Sequence, residues 1–309
     1  MTEKKCLKCL STISADSSER YGLHESCFIA WFDLKNFEEF TGIGRRSESG
    51  APKKRESTTN WNTSFFQGQF RKYSAALAGE SYIFKLKQDE APELPDVEYV
   101  CNQIAKSTGL HIPDFYCINF FEERTFVTKN FVRKSTNANL AHIYHYLGAT
   151  DIYDCETLVN IVLAQTGKPY DVDIFVRACL FDALIGNHDR HGRNLGFIVT
   201  AKGVSLAPIY DNPSALSLEQ GPMLNAHWNP RGKISTKGSK EPSAKDYVDE
   251  FFRLGMQNSV CDYFARINPK RIQTLIQESW CSEPMKNALT KLISGRYEEL
   301  RYAIDQKSK

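Results

Sequence analysis

The sequence predicts an α+β fold in two lobes, a β-rich N-terminal lobe followed by a mostly helical C-terminal lobe. The chain has 309 residues, which fits two domains, because domains typically hold about 100–200 residues. Short apolar runs separated by turn residues dominate residues 61–131 and are typical of strands. Beyond them, apolar residues recur every three or four positions, as in helices. We therefore expect an N-terminal segment at 1–41, an N-lobe at 42–131 and a C-lobe at 132–309.

The composition is that of a globular chain with little net charge. Apolar residues make up 41% of the chain and aromatic residues 12%, which is enough for a core in each lobe. A net charge of +2 does not favour direct nucleic-acid binding. The nine cysteines are odd in number and irregularly spaced, which favours a reducing compartment over a disulfide framework. We expect a cytoplasmic protein with no signal peptide or membrane partner, although secretion by a signal-free route stays open.

The N-terminal segment carries metal-ligand side chains in two close pairs. Cys6 and Cys9 form a C-x2-C pair, and His24 and Cys27 form an H-x2-C pair. These ligand types and spacings are typical of a structural zinc site, since each pair can reach one ion from a tight turn. The alternative is three ordinary thiols and a surface histidine. A helix with a core-facing aromatic side is expected at 28–32.

The N-lobe begins after a change in composition. Residues 42–60 are rich in glycine, serine, proline and basic residues, which predicts a flexible linker. Two strands are then expected at 73–77 and 81–87, and two more at 115–121 and 125–131. The last strand would run into a hinge between the lobes.

Four residues of the N-lobe suit a nucleotide. The loop holding Gly68 and Lys72 can cover phosphates with its backbone amides. Lys85 lies on a predicted strand and can neutralise phosphates. Glu98 lies near the start of an amphipathic helix at 96–107, where it can hold that lysine. The alternatives are a solvated lysine and a carboxylate stabilised by the helix dipole.

The C-lobe is predicted to be helical around one hairpin. Helices at 157–165 and 172–185 precede a β-hairpin at 195–210, and a long polar loop follows at 217–243. Further helices are expected at 244–254, 258–266, 270–280 and 284–306.

The loop before the hairpin carries the residues that suit chemistry. Asp189 and Asn194 lie five positions apart, and Asp211 follows the second strand of the hairpin. The hairpin would bring Asn194 and Asp211 together, so that their oxygen atoms can bind one magnesium ion. Asp189 can then accept or orient a hydroxyl group, as phosphoryl transfer requires. His191 is expected to hold the loop by hydrogen bonds.

A purely structural interpretation of this loop is also open. An N-H-D-R-H loop between a helix and a strand can be polar turn chemistry, and D-x4-N spacing is common. Arg190 and Arg193 either hold the loop or contact a phosphate or substrate. The trailing Asp211, together with Lys85 and Glu98 upstream in the order found in kinases, favours phosphoryl transfer.

The motifs in 186–195 and 206–211 match N-x-D-x-H-x-x-N and L-A-P-x-Y-D. In these two motifs the chain resembles the HipA-like serine/threonine kinase family of bacterial toxin–antitoxin modules. The resemblance extends over roughly residues 64–280. The stretches 82–85 and 126–131 resemble the lysine strand and hinge of that family.

The resemblance implies an ATP- and Mg²⁺-dependent protein kinase with a two-lobed, kinase-like fold. It implies these roles: Asp189 as catalytic base, Asn194 and Asp211 as Mg²⁺ ligands, Lys85 at the phosphates, and Lys129 and Phe131 beside adenine. Family members phosphorylate serine or threonine of aminoacyl-tRNA synthetases, and a DNA-binding HipB-like antitoxin holds them.

Two departures from the family pattern concern the N-lobe. The chain resembles the compact HipT-type toxins, in which a separate HipS-like protein supplies an N-terminal subdomain. The phosphate loop keeps Gly68 and Lys72 but lacks the serines that can be autophosphorylated; Ser64 and Ser74 are the nearest.

Two other functions stay open. The D-R-H-x-x-N string also resembles phosphoinositide kinases, so that a lipid kinase is one alternative. A kinase-shaped binding module without activity is the other. The L-A-P-x-Y-D ending favours a protein kinase over the lipid kinase.

Overall fold

The computed structural model describes residues 4–14, 18–45, 72–132, 137–225 and 229–307. Within these ranges the fold mixes β-sheets and α-helices, with most helices in the second half of the chain, as predicted. No helix in these ranges combines the length and the hydropathy that a bilayer-spanning segment requires.

The chain forms two compact units. The first comprises Met1–Tyr99 and Asp114–Asn130, and the second comprises Val100–Pro113 and Phe131–Lys309. The domain bounds expected from the sequence, at 41/42 and 131/132, stay a prediction.

The first unit is built on an antiparallel sheet. Its elements are β1 (Glu19–Arg20), β2 (Leu23–His24), α1 (Glu25–Phe32), β3 (Thr41–Arg45), β4 (Lys72–Leu77), β5 (Glu80–Leu86), β6 (Phe115–Phe120) and β7 (Glu123–Lys129). Five strands form one sheet in the order β3-β4-β5-β7-β6, and β1 and β2 form a separate hairpin. The strands predicted at 73–77, 81–87, 115–121 and 125–131 are confirmed, with every bound within two residues of the predicted one.

Aromatic side chains form the core between α1 and this sheet. The rings of Phe28 and Phe32 lie 4.7 Å apart, and the Phe32 ring stacks on Tyr116 of β6 at 4.2 Å. Phe40 meets Phe84 of β5 edge-to-face at 4.9 Å. Such pairs contribute about 0.5–1.5 kcal/mol each beyond the area they bury. The predicted core-facing side of the first helix is therefore confirmed.

Helix α2 (Leu94–Ser107) begins in the first unit and ends in the second. Its predicted apolar face is confirmed, because Val97, Val100, Cys101 and Ile104 are all fully buried. Gly109 follows with φ +73°, a left-handed conformation that suits the end of a helix.

The second unit is mostly helical. Its further elements are β8 (Asn139–His142), α3 (Cys155–Thr166), α4 (Pro169–Ile185), β9 (Gly196–Thr200), β10 (Gly203–Leu206), α5 (Ala244–Arg253), α6 (Gln257–Arg266), α7 (Pro269–Gln277) and α8 (Glu283–Lys307). The six predicted helical segments of this half are confirmed. The predicted hairpin is also present, and β8 joins it as a third strand in the order β10-β9-β8.

Three expectations from the sequence are wrong in detail. Of the linker predicted at 42–60, residues 42–45 belong to the edge strand β3, because an edge position tolerates glycine, and the rest lies outside the described residues. Lys72 opens β4 opposite Lys85, since the strand starts one residue earlier than predicted. The second hairpin strand ends at Leu206, because Pro208 has no N–H to continue a ladder. Gly68 lies outside the described residues.

Candidate active site

The candidate site begins where helix α4 ends. Gly186 caps α4 with φ +70°, and a Cβ built there would lie 2.7 Å from Cγ of Pro230 and 2.8 Å from Cδ2 of Leu292. Both the left-handed conformation and the close approach require glycine. The chain therefore leaves the helix abruptly and enters the polar loop that the sequence singles out.

Amide side chains of the loop hold its backbone. The Asp189 N–H donates to Oδ1 of Asn187 at 3.0 Å, and Nδ2 of Asn194 donates to the Asp189 carbonyl at 2.9 Å. The Arg193 N–H donates to Nδ1 of His191 at 3.1 Å, so that the neutral His191 ring carries its proton on Nε2. The side chain of Asp189 is 62% exposed, and its Oδ1 lies 3.7 Å from Nε2 of His191.

Arg190 lies at the centre of the loop and is almost fully buried. Its Nε and Nη2 donate to the two carboxylate oxygens of Asp182 on α4, both at 2.8 Å. Nη2 also donates to Oδ1 of Asn212 at 2.7 Å. Nη1 donates to the carbonyls of Asn194 and Tyr210, at 3.1 Å and 2.5 Å. One guanidinium thus joins the helix, the loop and the segment after β10.

The same network joins the backbone segments that carry the two expected metal ligands, Asn194 and Asp211. The carbonyl of Asn194 and that of Tyr210, which precedes Asp211, accept from one Arg190 nitrogen. Nδ2 of Asn187 also donates to the Asp211 carbonyl at 3.4 Å. Asp211 adopts φ +55°, a left-handed conformation that aspartate reaches more readily than most residues. The hairpin therefore returns the chain to the loop, as its sequence pattern predicts.

The donor atoms near this point suit a hard cation. The amide nitrogen of Asn194 is used by the loop, so that its Oδ1 is the atom with which it can bind an ion. Asp211 adds a half-buried carboxylate. Magnesium prefers oxygen ligands of this kind, usually one or two from the protein with water and phosphate completing the shell. The residues present fit a magnesium ion.

Burial and neighbouring charges shift the pKa values of three groups around the loop. Burial alone would lower the pKa of Arg190, but the carboxylate of Asp182 outweighs it and the pKa of Arg190 is raised. Burial also raises the pKa of Tyr210, whose hydroxyl donates to the Arg193 carbonyl at 2.9 Å. Burial lowers the pKa of His142, which lies beside Tyr210. Arg190 is therefore a permanent cation, whereas Tyr210 stays neutral near neutral pH.

The first unit contains the predicted lysine–glutamate pair. Lys85 on β5 is 5% exposed, Glu98 on α2 is 1% exposed, and the two form an ion pair. Nζ of Lys85 also lies 5.7 Å from the centre of the Phe126 ring. The alternative of a solvated lysine is therefore wrong, because solvent is excluded from both charges.

The other predicted site residues that the structure describes are Lys129, Phe131 and Lys72, and each has a different neighbour. Lys129 ends β7 and pairs with Glu80 at 3.5 Å. In the second unit, the ring of Phe131 lies 5.3 Å from that of Tyr210. Lys72 opens β4 in the first unit.

Sequence reasoning missed the residues that support the loop. Arg190 and Arg193 could not be separated by sequence, but Arg190 is buried and Arg193 is exposed. Neither Asp182 nor Asn212 was predicted to support the loop. A signal for Asp182 was present, because an acid inside the buried apolar run of α4 needs a partner.

The N-terminal cysteine and histidine pairs also converge. The candidate ligand atoms of Cys6, Cys9, His24 and Cys27 all lie within 4.8 Å of one another. In the part of the chain that the structure describes, this is the one such group of three or more His, Cys, Asp or Glu residues.

Comparison with known families identifies one match along most of the chain. A family model described as the HipA-like C-terminal domain matches residues 47–282, which is more than half of the chain. No functionally curated protein matches the chain.

Two solved structures have similar folds. A proinflammatory kinase of Helicobacter pylori, CtkA, matches with a TM-score of 0.64 and 18% identity, over 77% of this chain and 95% of that kinase. A chain of the Shewanella oneidensis MR-1 toxin–antitoxin complex of HipA, HipB and operator DNA matches with a TM-score of 0.52 and 15% identity. That match covers 72% of this chain and 60% of the other. The predicted two-lobed, kinase-like α+β fold is thereby confirmed.

Proposed function

The chain belongs to the family of HipA-like C-terminal domains, and from this premise we propose that it is an ATP-dependent serine/threonine protein kinase. The observation that carries the proposal is the Arg190 network. It holds the loop of Asp189 and Asn194 and the segment of Asp211 around one buried cation. Phosphoryl transfer depends on accurate placement of a few groups, and such a network supplies it.

Each residue of this centre has a proposed task. Asp189 is solvent-exposed and accepts the proton of the substrate hydroxyl. Oδ1 of Asn194 and the Asp211 carboxylate hold Mg²⁺, which when bound neutralises charge on the phosphoryl group. His191 holds the backbone of the loop in place, because its Nδ1 accepts a hydrogen bond from the Arg193 N–H.

The buried pair in the first unit supports a nucleotide-binding role. Removing two charges from water is costly, and a pair such as Lys85 and Glu98 is weak evidence for stability alone. A function that needs a fixed cation explains it better. We propose that Glu98 orients Lys85 towards the phosphates, and that Gly68 and Lys72 cover them. Lys129 and Phe131 are proposed to border adenine.

The biological setting is also a proposal. Family membership and the likeness to HipA, which the Shewanella structure contains together with HipB and operator DNA, support a toxin of a type II toxin–antitoxin system. We propose a HipB-like antitoxin and a HipS-like small subunit as partners. The substrate would be an aminoacyl-tRNA synthetase or another translation factor, which would put the protein in the cytoplasm.

One transfer assay separates this proposal from its alternatives. The purified chain is incubated with γ-labelled ATP and Mg²⁺, with either lysate proteins or phosphoinositide vesicles as acceptor. We expect label on serine or threonine of protein, and none with Asp189→Gln. Label on lipid alone would make the lipid kinase correct. Nucleotide binding without any transfer or hydrolysis would make the chain an inactive binding module.

Two further measurements address the substrate and the toxin role. Phosphopeptide mass spectrometry of cells expressing the wild type, compared with Asp189→Gln, identifies the acceptor. Expression of the wild type should slow growth, whereas expression of Asp189→Gln should be tolerated. Equal toxicity of the two forms would exclude a kinase toxin.

A further inference from the structure

Four potential ligand atoms meet at the N-terminal end of the first unit. They are the sulfur atoms of Cys6, Cys9 and Cys27 and a ring nitrogen of His24, all within 4.8 Å of one another. Sγ of Cys9 lies 3.5 Å from Nδ1 of His24, and Sγ of Cys27 lies 3.8 Å from it. Tetrahedral zinc, with bonds of about 2.3 Å to sulfur and 2.0–2.1 Å to nitrogen, holds these two atom types about 3.5 Å apart. The spacing therefore suits one ion at the centre.

The histidine is oriented for ligation by its other nitrogen. Nε2 of His24 lies 3.2 Å from the Thr12 carbonyl, and only a protonated Nε2 can donate to it. Nδ1 is therefore the nitrogen with a lone pair, and it faces the two thiols. Metal-ligating histidines almost always have this second contact, which fixes the tautomer and the ring orientation.

Each ligand pair is held by regular backbone structure. The turn that carries Cys6 and Cys9 is closed by hydrogen bonds from Leu10 N–H to the Cys6 carbonyl and from Cys6 N–H to the Ser11 carbonyl, both at 2.9 Å. His24 ends the β1–β2 hairpin and precedes α1, but its side chain does not cap the helix.

Backbone hydrogen bonds also tie this segment to the rest of the first unit. Leu7 N–H donates to the Gly22 carbonyl in the β1–β2 turn at 3.0 Å, and Asn119 N–H of β6 donates to the Tyr21 carbonyl at 2.8 Å. The cluster thus lies where the turn, the hairpin and α1 meet, next to the sheet.

We propose that Cys6, Cys9, Cys27 and Nδ1 of His24 bind one structural zinc ion that holds the N-terminal segment on the sheet of the first unit. Four protein ligands complete a tetrahedral shell and leave no open position for a substrate, which is typical of structural zinc sites. A disulfide between two of the cysteines would leave the third thiol and the oriented histidine without a purpose. The proposal is independent of phosphoryl transfer, because its residues take no part in the candidate active site.

The test begins with the metal content of the full chain. Protein purified without chelator should contain about one zinc per chain by mass spectrometry of the metal. Cys9→Ser should lose that zinc, whereas Cys261→Ser, which removes another exposed cysteine on α6, should keep it. Cys9 is suited to this test because it is exposed and its replacement leaves no cavity in the core.

Two further measurements test the coordination of the ion and its contribution to stability. Wild-type protein in which cobalt replaces zinc should show the intense visible bands of tetrahedral Co²⁺ with thiolate ligands. Removal of zinc by a chelator should lower the melting temperature of the wild type by several degrees and leave that of Cys9→Ser unchanged.

Three results would overturn the proposal. They are wild-type protein without zinc, equal zinc in Cys9→Ser and Cys261→Ser, or a site that gives neither the tetrahedral cobalt bands nor a lower melting temperature on removal of zinc. Iron in place of zinc would overturn the identity of the ion.

Discussion

Replacing Arg190 by lysine should separate the loop of Asp189 and Asn194 from the segment after β10 while keeping a positive charge between them. The guanidinium donates to five acceptor atoms, two of Asp182 and one each of Asn212, Asn194 and Tyr210. A lysine ammonium has three donors on one nitrogen. At least two of these five hydrogen bonds must therefore be lost, and of the five acceptors Oδ1 of Asp182 keeps another donor, Nδ2 of Asn187.

The expected loss of stability follows from this count. Each buried polar group left without a hydrogen bond costs about 1–3 kcal/mol. One or two such groups predict that Arg190→Lys lowers the free energy of unfolding by about 1–6 kcal/mol. The position of Asp211 relative to Asn194 should also relax, since one Arg190 nitrogen holds the carbonyls of Asn194 and of the residue before Asp211.

The assay combines urea denaturation with transfer kinetics. Unfolding is followed by circular dichroism at neutral pH for the wild type, for Arg190→Lys and for Arg301→Lys. Arg301 is a matched control, because its ion pair with Glu298 on α8 is exposed and should contribute less than about 1 kcal/mol. Folded Arg190→Lys should need more Mg²⁺ for half-maximal transfer. Wild-type stability, together with an unchanged Mg²⁺ requirement, would refute the reasoning.

Two further predictions concern buried charges of the first unit. Lys85→Met should lower the free energy of unfolding by about 3–5 kcal/mol, because the buried Glu98 loses its ion pair with Lys85. Adding Glu98→Leu should restore most of this stability, as measured by urea denaturation, but should not restore ATP binding. Wild-type ATP affinity in the double variant would exclude the role of Lys85 at the phosphates. Burial raises the pKa of Asp96 to about 7 against an ordinary value of 3.8, although Arg124 opposes the shift. Because the folded state holds this proton more tightly, the contribution of Asp96 to stability is lost as pH rises from about 4 to 7. Asp96→Asn should therefore match the wild type near pH 4 and exceed it above pH 7 by up to about 4 kcal/mol, and a stability difference that does not change with pH would contradict this pKa.

Local patterns in the sequence predicted much of the fold. The period of α2 identified its buried face, and short apolar runs bounded by turn residues identified β4 and β5 as two strands of the sheet. The short strand β8 was missed, because its four residues have no alternation and it forms by pairing with β9. An element that depends on a partner distant in sequence leaves little local signal.

The candidate site shows the same limit. Spacing alone predicted that the segments of Asn194 and Asp211 lie close together, since a hairpin returns the chain to its starting point. The sequence could not tell the buried Arg190 from the exposed Arg193, because that difference depends on Asp182 and other residues brought near by folding. In the N-terminal segment the two ligand pairs were visible, but the hairpin that joins them was not.

The most direct test of the central claim measures Mg²⁺-ATP binding and γ-phosphate transfer on the same protein samples. Asp189→Gln should bind Mg²⁺-ATP like the wild type but transfer phosphate at least about a hundredfold more slowly, as expected for loss of a general base. Asp211→Ala should lose Mg²⁺-dependent binding, and Asp262→Asn, an exposed acid on α6, should change neither quantity. Transfer at the wild-type rate by Asp189→Gln, or Mg²⁺-dependent binding retained by Asp211→Ala, would contradict a phosphoryl-transfer centre at this loop.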